Sequence, residues 1–270
     1  MERLRYPVFL IHGTGYRDKV KLGYWGRIPK LLESHGIEIL HSDQDTWGTI
    51  ERNAGTLGKQ LHDFVQETGC GKVNIFAHSK GGLDTRYMAT VLKYSPLIAS
   101  ITTISTPHHG SKTIDVVFKF PKVLIRGIGV LVNGFFRLLG DKEPDFYEVC
   151  RQFKTDNMVK FNREVPDADG VYYQSYSAAM KSPFSDVIMM IPNAIVRIFD
   201  GKNDGLVSST SGQWTNFKGI WEGATLRGIS HMDAVDARRH AFTRKKSETG
   251  VTDILNCYIA ILEELQEAGL

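Results

Sequence analysis

A serine hydroxyl becomes a good nucleophile only when a histidine takes its proton and a carboxylate orients that histidine. The stretch VNIFAHSKGG, residues 73–82, offers the serine. An apolar, partly β-branched run leads into Ala77-His78-Ser79-Lys80-Gly81, and residues at helical spacing follow. The pattern small-x-Ser-x-small is the sharp strand-to-helix turn that lifts a serine above a sheet edge. The positions two before and two after the serine must be small so that strand and helix can approach. Ala77 fills the first of them, where Gly is more usual. The helix N-terminus after Ser79 favours developing negative charge. Against this stands a tight turn with an incidental serine. The strand before, the helix after and the double glycine all favour the nucleophile. Only the backbone N–H of Lys80 is needed, so its side chain is expected at the surface.

A second motif, VFLIHGTG at residues 8–15, ends a strand in His-Gly. The N–H of Thr14 and that of Lys80 are assigned as the two donors of an oxyanion hole; losing one such donor typically costs about 3 kcal/mol of barrier. The glycine spacing matches neither common phosphate-binding pattern. His12 is read as a framework residue. The acid and base should follow the serine in the order carboxylate, then histidine. Two late loops fit, DGKNDGLV at 200–207 and ISHMD at 229–233. Asp204 is taken as the acid and His231 as the base. Asp200 is the rival acid, and Asp233 or Asp236 could pair with the histidine instead. His240 is the rival base. His108 and His109 precede the acid, against the expected order.

These groups need a rigid scaffold. Short apolar runs alternate with helical patterns, which points to a mostly parallel α/β sheet covered by helices. The strands are read at Pro7–Ile11, Glu38–Leu40, Val73–Ala77, Ile101–Ser105, Ile195–Phe199 and Thr225–Gly228. Helices are read around Leu57, Leu61, Phe64 and Val65, around Leu83, Tyr87 and Met88, and over Ile254–Leu262. Residues 112–145 carry more apolar side chains than one amphipathic helix can hide. They are read as a helical hairpin inserted over the active-site edge, with Val116, Phe118, Leu124 and Phe135 as candidate substrate contacts. Residues 1–270 otherwise form one domain, since no Pro/Gly/Ser-rich linker divides them.

The bulk composition narrows the function. With 33 basic and 30 acidic residues the formal charge is +3, too even for a nucleic-acid protein. The local cluster Arg238, Arg239, Arg244, Lys245 and Lys246 reads as a solvated loop or helix end. No stretch is long and apolar enough to be read as a transmembrane span; the best, residues 123–139, is interrupted by Arg126, Asn133 and Arg137. Cys70, Cys150 and Cys257 form neither a disulfide framework nor a zinc motif, which favours a reducing compartment. No secretory leader is read. The expected location is the cytoplasm, or outside the cell if a leader has been removed or a non-classical route is used. No redox cofactor is called for.

Taken together, PVFLIHGTG, AHSKGGLDTRYMA, SITTISTPHHGS, MVKFNREVPDADGVYYQSYSA, NDGLV and SHMDAV resemble the bacterial true lipases, lipase family I of the α/β-hydrolase superfamily. NDGLV and STPHHGS are more specific to that family than the serine turn. The resemblance spans about Pro7 to Val235. It implies an α/β-hydrolase fold, a triad of Ser79, Asp204 and His231, Thr14 and Lys80 at the oxyanion, and a lid from the apolar insertion. It implies a triacylglycerol lipase acting on lipid or ester substrate at a lipid–water interface. It also implies a structural calcium, with Asp233 and Asp186 as ligands, although Ala237 stands where a further polar ligand is expected. The alternatives are a carboxylesterase or thioesterase for shorter soluble acyl groups, and a catalytically silent scaffold that binds a ligand. The oligomeric state is left open.

Overall fold

The computed structural model describes residues 4–15, 17–18, 23–243 and 250–270. Arg244, Lys245 and Lys246 of the basic cluster lie outside the described residues. The strands are β1 (Val8–Ile11), β2 (Ile39–His41), β3 (Val73–His78), β4 (Ile98–Ile104), β5 (Tyr172–Ala179) and β6 (Phe217–Glu222). They form one sheet in the order β2-β1-β3-β4-β5-β6, parallel throughout. The helices are α1 (Ile28–Ser34), α2 (Ile50–Thr68), α3 (Lys80–Thr90), α4 (Lys112–Val117), α5 (Lys122–Leu138), α6 (Phe146–Gln152), α7 (Thr155–Glu164), α8 (Met190–Asp200) and α9 (Ile254–Glu267).

Alternation along the strands sends successive side chains to opposite faces. Val8, Leu10 and Phe76 pack with Ile28 and Leu32 of α1 and Tyr258 and Leu262 of α9. Phe9, Ile11 and Ile75 pack with Leu57 and Leu61 of α2 and Met88 of α3. Both faces are therefore covered, as a parallel sheet requires. All the strands end on the same edge, and the crevice outside their carboxyl ends is where such sheets bind ligands.

Two expected strands are corrected. Ile195–Phe199 belongs to α8. Its β-branched run suggested a strand, yet Asn193 and Val196, three residues apart, are buried while Ile198 is exposed, which is helical spacing. Thr225–Gly228 is a turn. The true strands there are β5 and β6, which look polar in sequence. In β5 the buried Ser175 and Ser177 donate their hydroxyls to the carbonyls of Trp214 and Ser209, which makes buried serine tolerable in a central strand.

The region 112–145 is helical, comprising α4, α5 and the approach to α6. Only a narrow stripe of α5 is anchored, chiefly by Ile125 and Gly129. Val123, Leu131 and Leu138 are 74%, 76% and 87% exposed, which is unusual for large apolar residues on one helix. Among the described residues no helix is long and apolar enough to cross a membrane.

Candidate active site

Ser79 stands between β3 and α3 at φ 54° and ψ −133°. A non-glycine residue there is strained by about 1–3 kcal/mol and is held only by its surroundings. Those surroundings are close-packed. A Cβ on Gly13 would lie 2.6 Å from Ser79 Cβ, and one on Gly81 would lie 2.5 Å from the His12 carbonyl. A Cβ on Gly82 would collide with Thr106. The double glycine thus lets α3 start directly against the ends of β1 and β4. Lys80 is the first residue of α3, so its N–H has no intrahelical acceptor.

Its side chain is not at the surface as expected. It is 1% exposed, and Nζ donates to both oxygens of Asp84, at 2.6 and 2.9 Å. Asn53 Nδ2 donates to the same carboxylate at 3.0 Å. The i,i+4 spacing of Lys80 and Asp84 was the available signal. Burial pushes the Asp84 carboxyl up to about 6 and the Lys80 ammonium down.

Asp204 and His231 come together. His231 Nδ1 is 2.8 Å from Asp204 Oδ2, and the His231 N–H donates to the Asp204 carbonyl at 2.7 Å. Asp204 Oδ1 accepts the N–H groups of Leu206 and Val207. The acid does not follow a strand directly; its loop comes after α8 and folds back over the end of β5. Met180 donates its N–H to the Asn203 carbonyl, and Asn193 of α8 donates to Asn203 Oδ1 at 2.6 Å. The ring of His231 lies 4.4 Å from that of His78, the neighbour of Ser79.

The rivals are occupied elsewhere. Asp200 accepts from Ser111 Oγ, the Lys112 N–H, and the Thr113 N–H and hydroxyl, fastening the end of α8 to the start of α4. Asp236 accepts three bonds from Arg27. Arg86 and Thr103 flank the His108 ring, which stacks on Trp214. Burial, then the Arg86 charge, pushes the His108 pKa well down, so it stays neutral. His109 contacts the Gln213 carbonyl, and His240 is exposed beside the carbonyl of Ala241. His12 is fully buried, with Nδ1 2.8 Å from the Gly13 carbonyl, which fits a framework residue.

A residue that sequence reasoning passed over is Tyr24. Its hydroxyl accepts the Gly13 N–H at 3.1 Å and lies 2.6 Å from His78 Nδ1. It therefore joins the turn carrying Thr14 to the turn carrying Ser79. No local pattern marks it, because its partners are 11 and 54 residues away.

Ser79 and Thr14 open on a cavity of about 420 Å³. Its other walls are mostly apolar: Ile114 and Val117 of α4, Phe146 and Cys150 of α6, and Ile191, Ile195 and Val196 of α8, with Leu206 and Val207. The four expected contacts are not on this wall. Helical spacing turns Ile114 and Val117 inward, whereas Val116 and Phe118 project elsewhere, Phe118 against Tyr147. Leu124 and Phe135 lie on the outer side of α5, 57% and 56% exposed. Asp186 and Asp233 do meet, and both contact Arg238.

No family model matches the chain. Triacylglycerol lipase 2 of Saccharomyces cerevisiae is 28% identical over 267 residues, covering 94% of this chain and 76% of that protein. A triacylglycerol lipase of Pseudarthrobacter phenanthrenivorans is 35% identical over 178 residues, covering 61% of this chain and 55% of that protein. Among solved structures, the lipase of Staphylococcus hyicus superposes with a TM-score of 0.66 at 15% identity, over 99% of this chain and 97% of that one.

Proposed function

We propose that this chain, an α/β-hydrolase related to the bacterial true lipases, hydrolyses carboxylic esters through an acyl-enzyme on Ser79, with acylglycerols at a lipid–water interface as substrate. The observation that carries this reading is the position of Ser79, strained at the head of α3 and opening on an apolar cavity. The pairing of His231 Nδ1 with Asp204 supports it, because that pairing leaves Nε2 as the nitrogen for the serine proton.

In the proposed cycle Ser79 Oγ attacks the ester carbonyl while His231 takes its proton. The N–H groups of Thr14 and Lys80 receive the oxyanion. Collapse expels the alcohol, which takes the proton from His231. Water then repeats the sequence on the acyl-enzyme and releases the acid. The imidazolium formed in each half is stabilised by Asp204, which itself keeps its charge. The acyl chain lies between α4, α6 and α8. The outer apolar sides of α5 and α8 act as a lid region, because a lipid surface would cover side chains that water leaves exposed.

The test is hydrolysis of p-nitrophenyl esters of rising chain length and of emulsified triglyceride, by the native protein and by Ser79→Ala. Loss of all activity in Ser79→Ala, with preference for long chains and emulsion, is expected. Activity confined to short soluble esters makes the protein a carboxylesterase or thioesterase and reduces the lid region to packing. Full activity in Ser79→Ala overturns the mechanism.

A further inference from the structure

The family resemblance implies calcium at Asp233 and Asp186, and the surroundings of these carboxylates can be compared with what that ion needs. Asp233 comes two residues after His231, and Asp186 precedes α8. Ser230 ties them together: its Oγ donates to Asp186 Oδ2 at 2.7 Å, and its N–H donates to Asp233 Oδ2 at 3.2 Å. The other oxygen of Asp186 accepts the N–H groups of Ile188 and Met189. The remaining faces of both acids meet guanidinium groups. Arg238 Nη2 donates to Asp186 Oδ2 at 3.0 Å, and Arg238 Nε lies 2.5 Å from Asp233 Oδ1. Arg227 Nη2 lies 3.6 Å from Asp233 Oδ2 and 3.9 Å from Asp186 Oδ2.

Calcium requires roughly six to eight oxygen ligands. Three of the four carboxylate oxygens already accept N–H or O–H hydrogen bonds, the fourth, Asp233 Oδ1, faces the Arg238 guanidinium, and Ala237 adds no side-chain oxygen. Two acids and two arginines also sum to zero formal charge. A divalent ion would have to sit beside two fixed positive charges, so this donor set does not fit calcium. Arg238, always charged, hydrogen-bonds Asp186 and pairs its charge with Asp233, so one guanidinium spans both carboxylates, while Arg227 adds its charge from 3.6 and 3.9 Å without a hydrogen bond.

We propose that Arg238, with the charge of Arg227 beside it, takes the place of the metal, clamping the loop that bears His231 to the approach of α8 without calcium. Arg227 stands before His231 in that loop and Arg238 after it, so positive charge faces the two acids from both sides of the histidine, and Arg238 supplies the bonded contact. The positioning role rests on the reading of His231 as the base; the metal independence does not.

Thermal unfolding of the full chain in millimolar calcium chloride and in EDTA tests the first part without turnover. The two midpoints should agree within about 1 °C, because a ligand stabilises only the state it binds. A calcium-dependent rise of several degrees overturns the proposal. Kinetics on a p-nitrophenyl ester test the second part. Arg238→Gln should lower kcat about tenfold or more with KM within about twofold, and Arg238→Lys should recover part of the loss. Native kcat in a folded Arg238→Gln overturns the positioning role. Should that variant not fold, Arg227→Gln is read by the same criteria. A native chain inactive on every ester sinks the hydrolase reading and leaves the calcium comparison standing.

Discussion

Replacing Lys80 by Met removes a buried charge while keeping an unbranched side chain and the backbone N–H. Asp84 is then left at 1% exposure with Asn53 as its remaining side-chain partner. Breaking a buried ion pair from one side typically costs about 3–5 kcal/mol, because the surviving charge is desolvated and unpaired. For a protein of this size 3 kcal/mol lowers the unfolding midpoint by roughly 6–12 °C. The pH dependence is more diagnostic than the size. Burial has raised the Asp84 carboxyl from its ordinary 3.8 to about 6, against the pull of Lys80. A carboxyl with a raised folded pKa holds its proton more readily folded than unfolded. Its contribution to stability therefore falls as pH climbs from about 3.8 through about 6. Without Lys80 the folded pKa moves higher still, and the fall continues above 6. The gap between native and Lys80→Met should thus be small at pH 5 and widen by up to about 1.4 kcal/mol per pH unit above about 6, measured by calorimetry or dye-monitored melting. Lys80→Met/Asp84→Leu should recover most of the loss, since neither charge is then buried. A Lys80→Met midpoint equal to native at pH 8, or a gap that does not change with pH, refutes the reasoning.

The geometry around the serine supports two further expectations. In Gly13→Ala the added methyl meets Ser79 Cβ at 2.6 Å, so the turn bearing Thr14 must retreat. Stopped assays should show kcat down by about 10² or more, the usual cost of a lost oxyanion donor, with KM little changed. Asp204→Asn keeps the loop's shape but turns His231 toward the wrong tautomer. Its kcat should fall by about 10³–10⁴ while circular dichroism stays native, and a loss under tenfold would point to another acid.

The sequence exposed the site where the chemistry is local. The turn at Ser79 is specified by its own neighbours, with Gly81 and Gly82 marking the close approach of α3 to β1 and β4. The pairing of Asp204 with His231 was also legible, because each sits in a short loop whose expected order along the chain is constrained. Their meeting at 2.8 Å follows from the fold bringing two loops to one sheet edge. The strand assignment around them was less legible. Ser175 and Ser177 make β5 look polar until their hydroxyls are seen to find loop carbonyls. The β-branched run Ile195-Val196 with Ile198 makes residues 195–199 look like a strand until the burial of Asn193 and Val196, one helical turn apart, is seen.

Tyr24, which was missed, and the acids whose surroundings were not foreseen share a physical reason: each depends on a partner that adjacency along the chain does not reveal. Tyr24 matters because Gly13, in the turn after β1, and His78, at the end of β3, both reach its hydroxyl. Asp200, placed in sequence like a catalytic acid, has its carboxylate taken by the first turn of α4 some 90 residues upstream. Asp186 and Asp233 have the types and places of metal ligands, yet whether an ion or an arginine lies between them depends on where Arg227 and Arg238 point. A motif can state which groups a reaction needs. The charge balance around those groups is set by contacts across the fold.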